Sequence, residues 1–345
     1  MLPERGELGP LLEEAGVEVV SRPLAVLRRS GPAPLATARR LVADSRELAA
    51  LARERGAALV HSNTSVVLGG QAAARGAGVP HVLHVREIYA GAGGPAVAAL
   101  WPLMRRRLVR ADALLCISRA VAEQFGAASN AQVIHDGLPR VPARADRAVA
   151  RDALGVAADG FAVALVGRVS DWKGQDVLAR ALAEPALAEI GAVGLVAGDQ
   201  FPGNERSELE LRELAASLGL GERLRLLGFR EDIDTVLGAA DVLAVPSTRP
   251  EPLGLVALEG SSAGLPVVAS DHGGVREAVR HGETGLLVPS GDTAALAGAL
   301  RLLADDSDLA GRLGAAGAEL VRTHFGRERM LDKVQDVYDR LLDAA

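Results

Sequence analysis

Two carboxylates eight positions apart bracket the stretch Glu251-Pro-Leu-Gly-Leu-Val-Ala-Leu-Glu259. Pro252 and Gly254 suit a turn, and the apolar run after them suits a helix, which predicts Glu251 in a loop before the helix and Glu259 inside it. A helix N-terminus offers unpaired backbone N–H groups and the positive end of its dipole, a natural seat for phosphate. A carboxylate on either side would repel that phosphate, but it accepts hydrogen bonds well from sugar hydroxyls. Phosphate flanked by two polyols describes a nucleotide sugar, with ribose on one side and a donor sugar on the other. Two glutamates on a solvated helix could share this spacing by chance, so the surrounding residues decide.

Upstream, residues 242–246 read as a strand that ends in Ser247; downstream, 264–270 hold another, and Gly273-Gly274 open a further helix. The carboxylates therefore belong at the carboxyl edge of a parallel strand, where open α/β sheets bind ligands. A second constellation follows the strand 161–166: Gly167-Arg168-Val-Ser-Asp-Trp-Lys173-Gly174. An Arg and a Lys in a glycine-bounded loop can clamp a diphosphate. Two unit charges about 4 Å apart attract by about 4 kcal/mol at an effective dielectric near 20. Two such cations could offset the charge on a leaving diphosphate without a metal. Alone they read as solvated surface cations; the nearby carboxylates favour the clamp.

Alternating β and α patterns must position these loops. In the first half, strands are expected at 17–20, 58–61, 81–85, 113–117 and 132–134, with helices near 8–15, 37–55, 66–75, 97–110 and 119–125, the last capped by Ser118. Residues 139–147 turn to Pro, Arg and Ala without periodicity and read as a linker. In the second half, strands are expected at 161–166, 193–197, 224–227, 242–245 and 267–269. The tail from about 326 to 345 is amphipathic, with Met330, Val334, Val337, Tyr338 and Leu341 on one stripe.

The 345 residues suffice for two domains. No run reaches the ~18 apolar residues of a membrane span, and no secretory signal is evident, so a soluble cytoplasmic protein is expected. The single cysteine, Cys116, lies in an apolar run and reads as a small buried hydrophobe. Net charge is −6, unevenly shared: residues 1–150 carry +6 and the remainder −12. An acidic protein without a basic stripe or recognition motif is a poor nucleic-acid binder. The segment around Trp101 and Arg105-Arg-Arg107 through Arg110 is compatible with an anionic membrane, although an ordinary surface helix is its default reading. Asp232/Asp234 and Asp306/Asp308 could suggest metal ligation, but both pairs fall where helices start, where Asp is favoured for capping.

The run Val166-Gly-Arg…Lys173-Gly174, Gly198-Asp199, Leu227-Gly-Phe229, the 240–247 stretch, Glu251-x7-Glu259, the 264–270 stretch, Gly273-Gly-Val-Arg-Glu277 and the 281–288 stretch resembles family 4 glycosyltransferases. The match is dense from about 161 to 300. It is thinner at His61-Ser-Asn63, His84-Val-Arg-Glu87, Ile117-Ser118 and Val133-Ile-His-Asp-Gly137. The resemblance implies the GT-B architecture, two Rossmann-like α/β domains with a cleft between them: 1–142 on the acceptor side, 143–325 binding nucleotide sugar, and a 326–345 helix packing back. It implies a retaining hexosyl or N-acetylhexosaminyl transfer to an acceptor hydroxyl on a carbohydrate, lipid-linked or small molecule, in glycan biosynthesis. No metal or other cofactor is implied, and the departing phosphate acts as base.

Residue by residue, the resemblance places Arg168 and Lys173 on the diphosphate and Glu259 on the ribose. It places Glu251 on the donor sugar, with backbone N–H groups of Leu253, Gly254 and Leu255 on sugar and phosphate. Phe229 and Arg230 would face the base, Gly273 and Gly274 would lie against the donor, and His84 would approach the sugar. Against the family pattern, the opening strand, its glycine-rich loop and first helix are expected to be missing before Met1. A truncated protein that binds nucleotide sugar without turnover is the second reading, and a nucleotide-sugar epimerase the third. Asp136 stands where the family usually has Asn.

Overall fold

The computed structural model describes residues 1–4, 6–26, 34–89, 95–138, 140–200 and 205–344. They form two parallel-sheet α/β units. Unit 1 comprises Met1–Ile117, Val121–Ile134 and Lys333–Ala345; unit 2 comprises Ser118–Ala120 and His135–Asp332. Pro139, where the expected linker begins, lies outside the described residues, as does Ala345.

Unit 1 holds β1 (Val60–Ser62), β2 (His81–Val85), β3 (Ala113–Cys116) and β4 (Ala131–Val133), all parallel and in sequential order. Both β2 and β3 are buried along their whole length, so they read as continuous apolar runs and not as alternation. The strand expected at 17–20 is absent; one parallel bridge pairs Leu2 with Ser21, through Leu2 N–H to the Val20 carbonyl at 3.0 Å and Arg22 N–H to Leu2 at 3.1 Å. Among the described residues this bridge is the one strand-like pairing of the stretch 17–22. Between Leu2 and β1 lies a hollow of about 540 Å³, walled by Leu24, Leu48, Leu51 and Val67. The helix expected over 66–75 begins later, at Gly70–Ala77. Val67 instead makes an antiparallel bridge with Val26, and Leu68 N–H bonds the Ala25 carbonyl, so that stretch is extended.

Unit 2 holds β5 (Ala162–Val166), β6 (Val193–Ala197), β7 (Leu224–Leu226), β8 (Val242–Val245), β9 (Val267–Ser270) and β10 (Leu286–Val288). Their spatial order is β10-β9-β8-β5-β6-β7, every pair parallel. The short strand β10 was not among those expected. The core packs Val163, Leu165, Val196 and Val242 of the sheet against Leu178, Leu182, Leu296 and Leu300 of the helices Gln175–Ala183 and Thr293–Asp305. Each Leu-sized side chain so buried contributes about 1.5–3 kcal/mol. Helix starts are set by side-chain caps: Asp146 accepts from Ala148 and Val149 N–H, Asp292 from Ala295, and Asp306 from Leu309.

One core charge has no apolar equivalent. Arg151, 2 % exposed, donates to the carbonyls of Ala239, Ala157, Ala158 and Gly160 and to the Asp241 carboxylate. It closes off backbone acceptors that the loop before β5 would otherwise bury unpaired.

Candidate functional site

Strand order in unit 2 reverses at β5, which has β6 on one side and β8 on the other. The connections from β5 to β6 and from β8 to β9 run to opposite sides there, the place at which parallel sheets hold ligands. The loops leaving β5 and β8 carry both constellations. Gly174, at φ +77°, allows them to meet: a Cβ there would lie 2.0 Å from the Pro246 carbonyl oxygen. Thr248 N–H then bonds the Trp172 carbonyl at 2.7 Å, fastening one loop to the other.

The structure brings Lys173 and Glu251 together. Lys173 Nζ lies 2.7 Å from Glu251 Oε1, and Ser247 Oγ donates to the same oxygen at 2.6 Å. Glu251 is 6 % exposed, so its charge depends on these donors. Its main chain is pinned by the glycine pair: Gly274 N–H bonds the Glu251 carbonyl at 2.7 Å. A Cβ on Gly273 (φ +64°) would come 2.5 Å from the Glu251 oxygen, and one on Gly274 would come 2.1 Å from the Pro252 oxygen. Packing against the Glu251 loop thus gives both glycines a physical reason.

Glu259 lies inside the helix Leu255–Ser262, whose N-cap is Gly254. Leu253 is buried and Leu255 half-exposed, so backbone at this N-terminus borders solvent. Burial raises the Glu259 pKa above the ordinary glutamate value. Among the described residues no hydrogen bond to its carboxylate is present.

On the other side of β5, three loops run side by side. Val169 N–H bonds the Asp199 carbonyl, and Gly198 N–H bonds Gly228. They border a pocket of about 340 Å³ lined by Arg168, Asp199, Phe229 and Arg230 among others. Phe229 is 67 % exposed, with its N–H held by Asp199 Oδ1 at 2.7 Å. Arg230 is tied to Asp232 at 2.8 and 2.6 Å, which turns that carboxylate away from its expected capping role; Asp306 does cap its helix. Arg168 is exposed at the pocket's rim, and its carbonyl accepts from Gln175 Nε2.

His84 belongs to unit 1, near the carboxyl end of β2, and is 3 % exposed. Desolvation, with Arg86 and His61 nearby, lowers its pKa to about 3, so its imidazole is neutral. Its ring lies 5.8 Å from that of His61, whose Nδ1 faces the Tyr338 hydroxyl at 2.5 Å. Cys116 is fully buried, and desolvation lifts its thiol to about 12. In the helix Pro95–Leu108, Trp101 stacks on Tyr89 at 5.3 Å, and Arg105 and Arg107 donate to the Phe125 and Leu68 carbonyls. Two of the four arginines of the expected basic face are therefore spent inside unit 1. No helix among the described residues is long and apolar enough to cross a membrane.

Sequence reasoning passed over Ser247, His272 and Ser290. The His272 ring donates from Nε2 to the Ser247 carbonyl at 2.8 Å, and Ser290 Oγ donates there at 3.3 Å. Only Ser247's place at a strand's end hinted at this.

The "Glycosyl transferases group 1" family model matches residues 146–320, and the "Glycosyl transferase 4-like domain" model matches 2–135. The chain belongs to the group 1 glycosyl transferases. Among curated relatives of this family member, a D-inositol 3-phosphate glycosyltransferase of Salinispora arenicola is 40% identical over 214 residues, 59% of this chain and 47% of the relative. The lipopolysaccharide core biosynthesis glycosyltransferase LpsD of Rhizobium meliloti is 38% identical over 56% of this chain and 53% of its own. The match thus spans about half the length of these relatives. Among solved structures, Anabaena HepE in complex with UDP-glucose superposes with TM-score 0.82 at 28% identity, over 97% of this chain and 90% of its own. Sucrose-phosphate synthase of Thermosynechococcus elongatus gives 0.79 at 26%, over 95% and 86%. These likenesses match the GT-B architecture that the sequence led us to expect.

Proposed function

We propose that the protein is a retaining glycosyltransferase that moves a hexosyl or N-acetylhexosaminyl group from a uridine diphosphate sugar to an acceptor hydroxyl. The observation that carries this reading is the meeting of Lys173 and Glu251 at the β5/β8 switch point, 2.7 Å apart. HepE, which shares this fold, binds UDP, glucose and UDP-glucose, and this supports the choice of nucleotide.

In the proposed complex, Arg168 and Lys173 neutralise the diphosphate, Glu259 accepts from the ribose hydroxyls, and the exposed Phe229 and Arg230 backbone border the base. Backbone N–H groups of Leu253, Gly254 and Leu255 face phosphate and sugar, and Glu251 accepts from the sugar hydroxyls. The anomeric C–O bond to phosphate breaks and the acceptor oxygen bonds the same face of that carbon. The acceptor proton passes to the departing phosphate oxygen. The neutral His84 imidazole acts as a hydrogen-bonding group and not as an acid. Two protein cations supply the charge stabilisation, so the proposal requires no metal. It places the reaction in the cytoplasm, in glycan biosynthesis.

The test is calorimetric titration with UDP, GDP, ADP and their sugars, with EDTA and with magnesium, followed by NMR of the product's anomeric configuration. Selective, EDTA-insensitive binding of uridine nucleotides and a retained anomer are expected. An inverted product or metal-dependent binding would overturn the mechanism, and failure to bind any nucleotide the whole reading. Binding without turnover with any acceptor would favour the non-catalytic alternative.

A further inference from the structure

Glu251 Oε1 accepts from two donors of different kinds. Lys173 carries a full charge on a flexible stem, and a dianionic diphosphate competes for it. Ser247 is 1 % exposed and neutral, so an incoming anion has little claim on it. Its main chain is immobilised as well, because its carbonyl takes the bonds from His272 Nε2 and Ser290 Oγ. His272 directly precedes the Gly273-Gly274 pair that pins the Glu251 backbone. One segment therefore fixes Glu251 twice, through its peptide and, by way of Ser247, through its carboxylate.

We propose that Ser247 is the positioning residue of the Glu251 carboxylate, holding it in place when Lys173 is handed over from Glu251 to the donor diphosphate. The inference rests on the reading of Glu251 as the sugar-binding carboxylate. Without Ser247, loading the donor takes away both resting donors of Glu251, and nothing in the protein then holds its carboxylate in line for the sugar hydroxyls it accepts from. The loss falls on the sugar and not on the nucleotide.

The readout is the affinity for UDP and for UDP-glucose, measured by calorimetry without any acceptor. Ser247→Ala should leave the UDP Kd within about twofold and weaken UDP-glucose by about tenfold, the size of one hydrogen bond to a charged group. Ser247→Thr, which keeps the hydroxyl, should restore it. In a Glu251→Ala background Ser247→Ala should have no further effect on UDP-glucose, since the interaction it serves is already gone. Equal weakening of UDP and UDP-glucose, or an effect that persists without Glu251, overturns the proposal and makes Ser247 a packing residue. UDP binding with an unchanged UDP-glucose Kd in Ser247→Ala overturns it and leaves the proposed function standing. A wild-type protein that binds no uridine nucleotide removes both.

Discussion

Lys173 Nζ sits 2.7 Å from Glu251 Oε1, so the proposed diphosphate cation neutralises the proposed sugar acceptor. Each charge is held in a part-buried place by the other, and either ligand half must draw on that pair. Lys173→Ala should lower turnover by about 10²–10³, the range for loss of one preorganised electrostatic group. It should also lower stability, because Glu251 keeps only its hydroxyl partner. Glu251→Gln should lower turnover with a smaller effect on stability, since the amide oxygen still accepts from Ser247. Steady-state rates and melting curves on the two variants separate these effects; equal stability losses would contradict the account.

Burial disfavours the ionised form of the Glu259 carboxylate. Its raised pKa makes donor affinity fall on acidification at a higher pH than an ordinary glutamate would, because only the carboxylate accepts both ribose hydroxyls. Replacing it by Gln should weaken UDP binding and remove that acid limb. The same variant should melt higher, because the amide carries no charge for burial to penalise. A pH series of titrations, paired with melting of the free protein, reads both.

Glycines here differ in what they protect. Gly274→Ala places a Cβ 2.1 Å from the Pro252 oxygen, which must displace the Glu251 loop. Gly264 has a φ of +73° and nothing within 4 Å of its would-be Cβ. Gly264→Ala should therefore cost only the left-handed backbone penalty, about 1–2 kcal/mol, and leave nucleotide binding intact. Gly274→Ala should abolish UDP-sugar binding. Titration of both variants under native conditions checks the contrast.

Three histidines of unit 1 are neutral, His81 and His84 buried and His61 part-buried. Desolvation is the first cause in each case, and it lowers His61 and His81 to about 4 and His84 to about 3. The unfolded chain binds these protons near pH 6.5, whereas the folded unit refuses them until about pH 4 or below. Their contribution to stability is therefore complete above pH 6.5 and is lost as pH falls through about 4. Acid unfolding followed by hydrogen exchange should show β1 and β2 losing protection as pH drops through this window. Replacing His81, whose Nε2 faces Ser62 Oγ at 2.9 Å, by Gln should flatten the dependence.

Much of unit 2 was legible because its signals are local. Strands such as 193–197 and 242–245 are short apolar runs between glycines and polar turns, and the observed limits agree. The Glu251 loop and the helix holding Glu259 fall where spacing put them. What escaped was long-range. Arg151 lies in an amphipathic helix and reads as a surface residue, yet it is buried against carbonyls from 157 to 239. Ser247 gains meaning only from residues 4 and 25 positions away. Residues 17–20 have a strand's pattern, and whether such a pattern becomes a strand depends on the partner beside it.

The hollow of about 540 Å³ beside β1 bears on how this protein behaves at the bench. β1 is the edge strand of the described sheet of unit 1, and the hollow beside it is lined by Leu24, Leu48, Leu51 and Val67 together with Glu18, Arg55 and Thr64. The free edge of a strand is a template for extended polypeptide, another molecule of the same chain included. Self-association through this edge should rise with concentration. A charged substitution on the hollow's wall, such as Leu48→Lys, should suppress it while leaving UDP binding at the proposed site of unit 2 untouched.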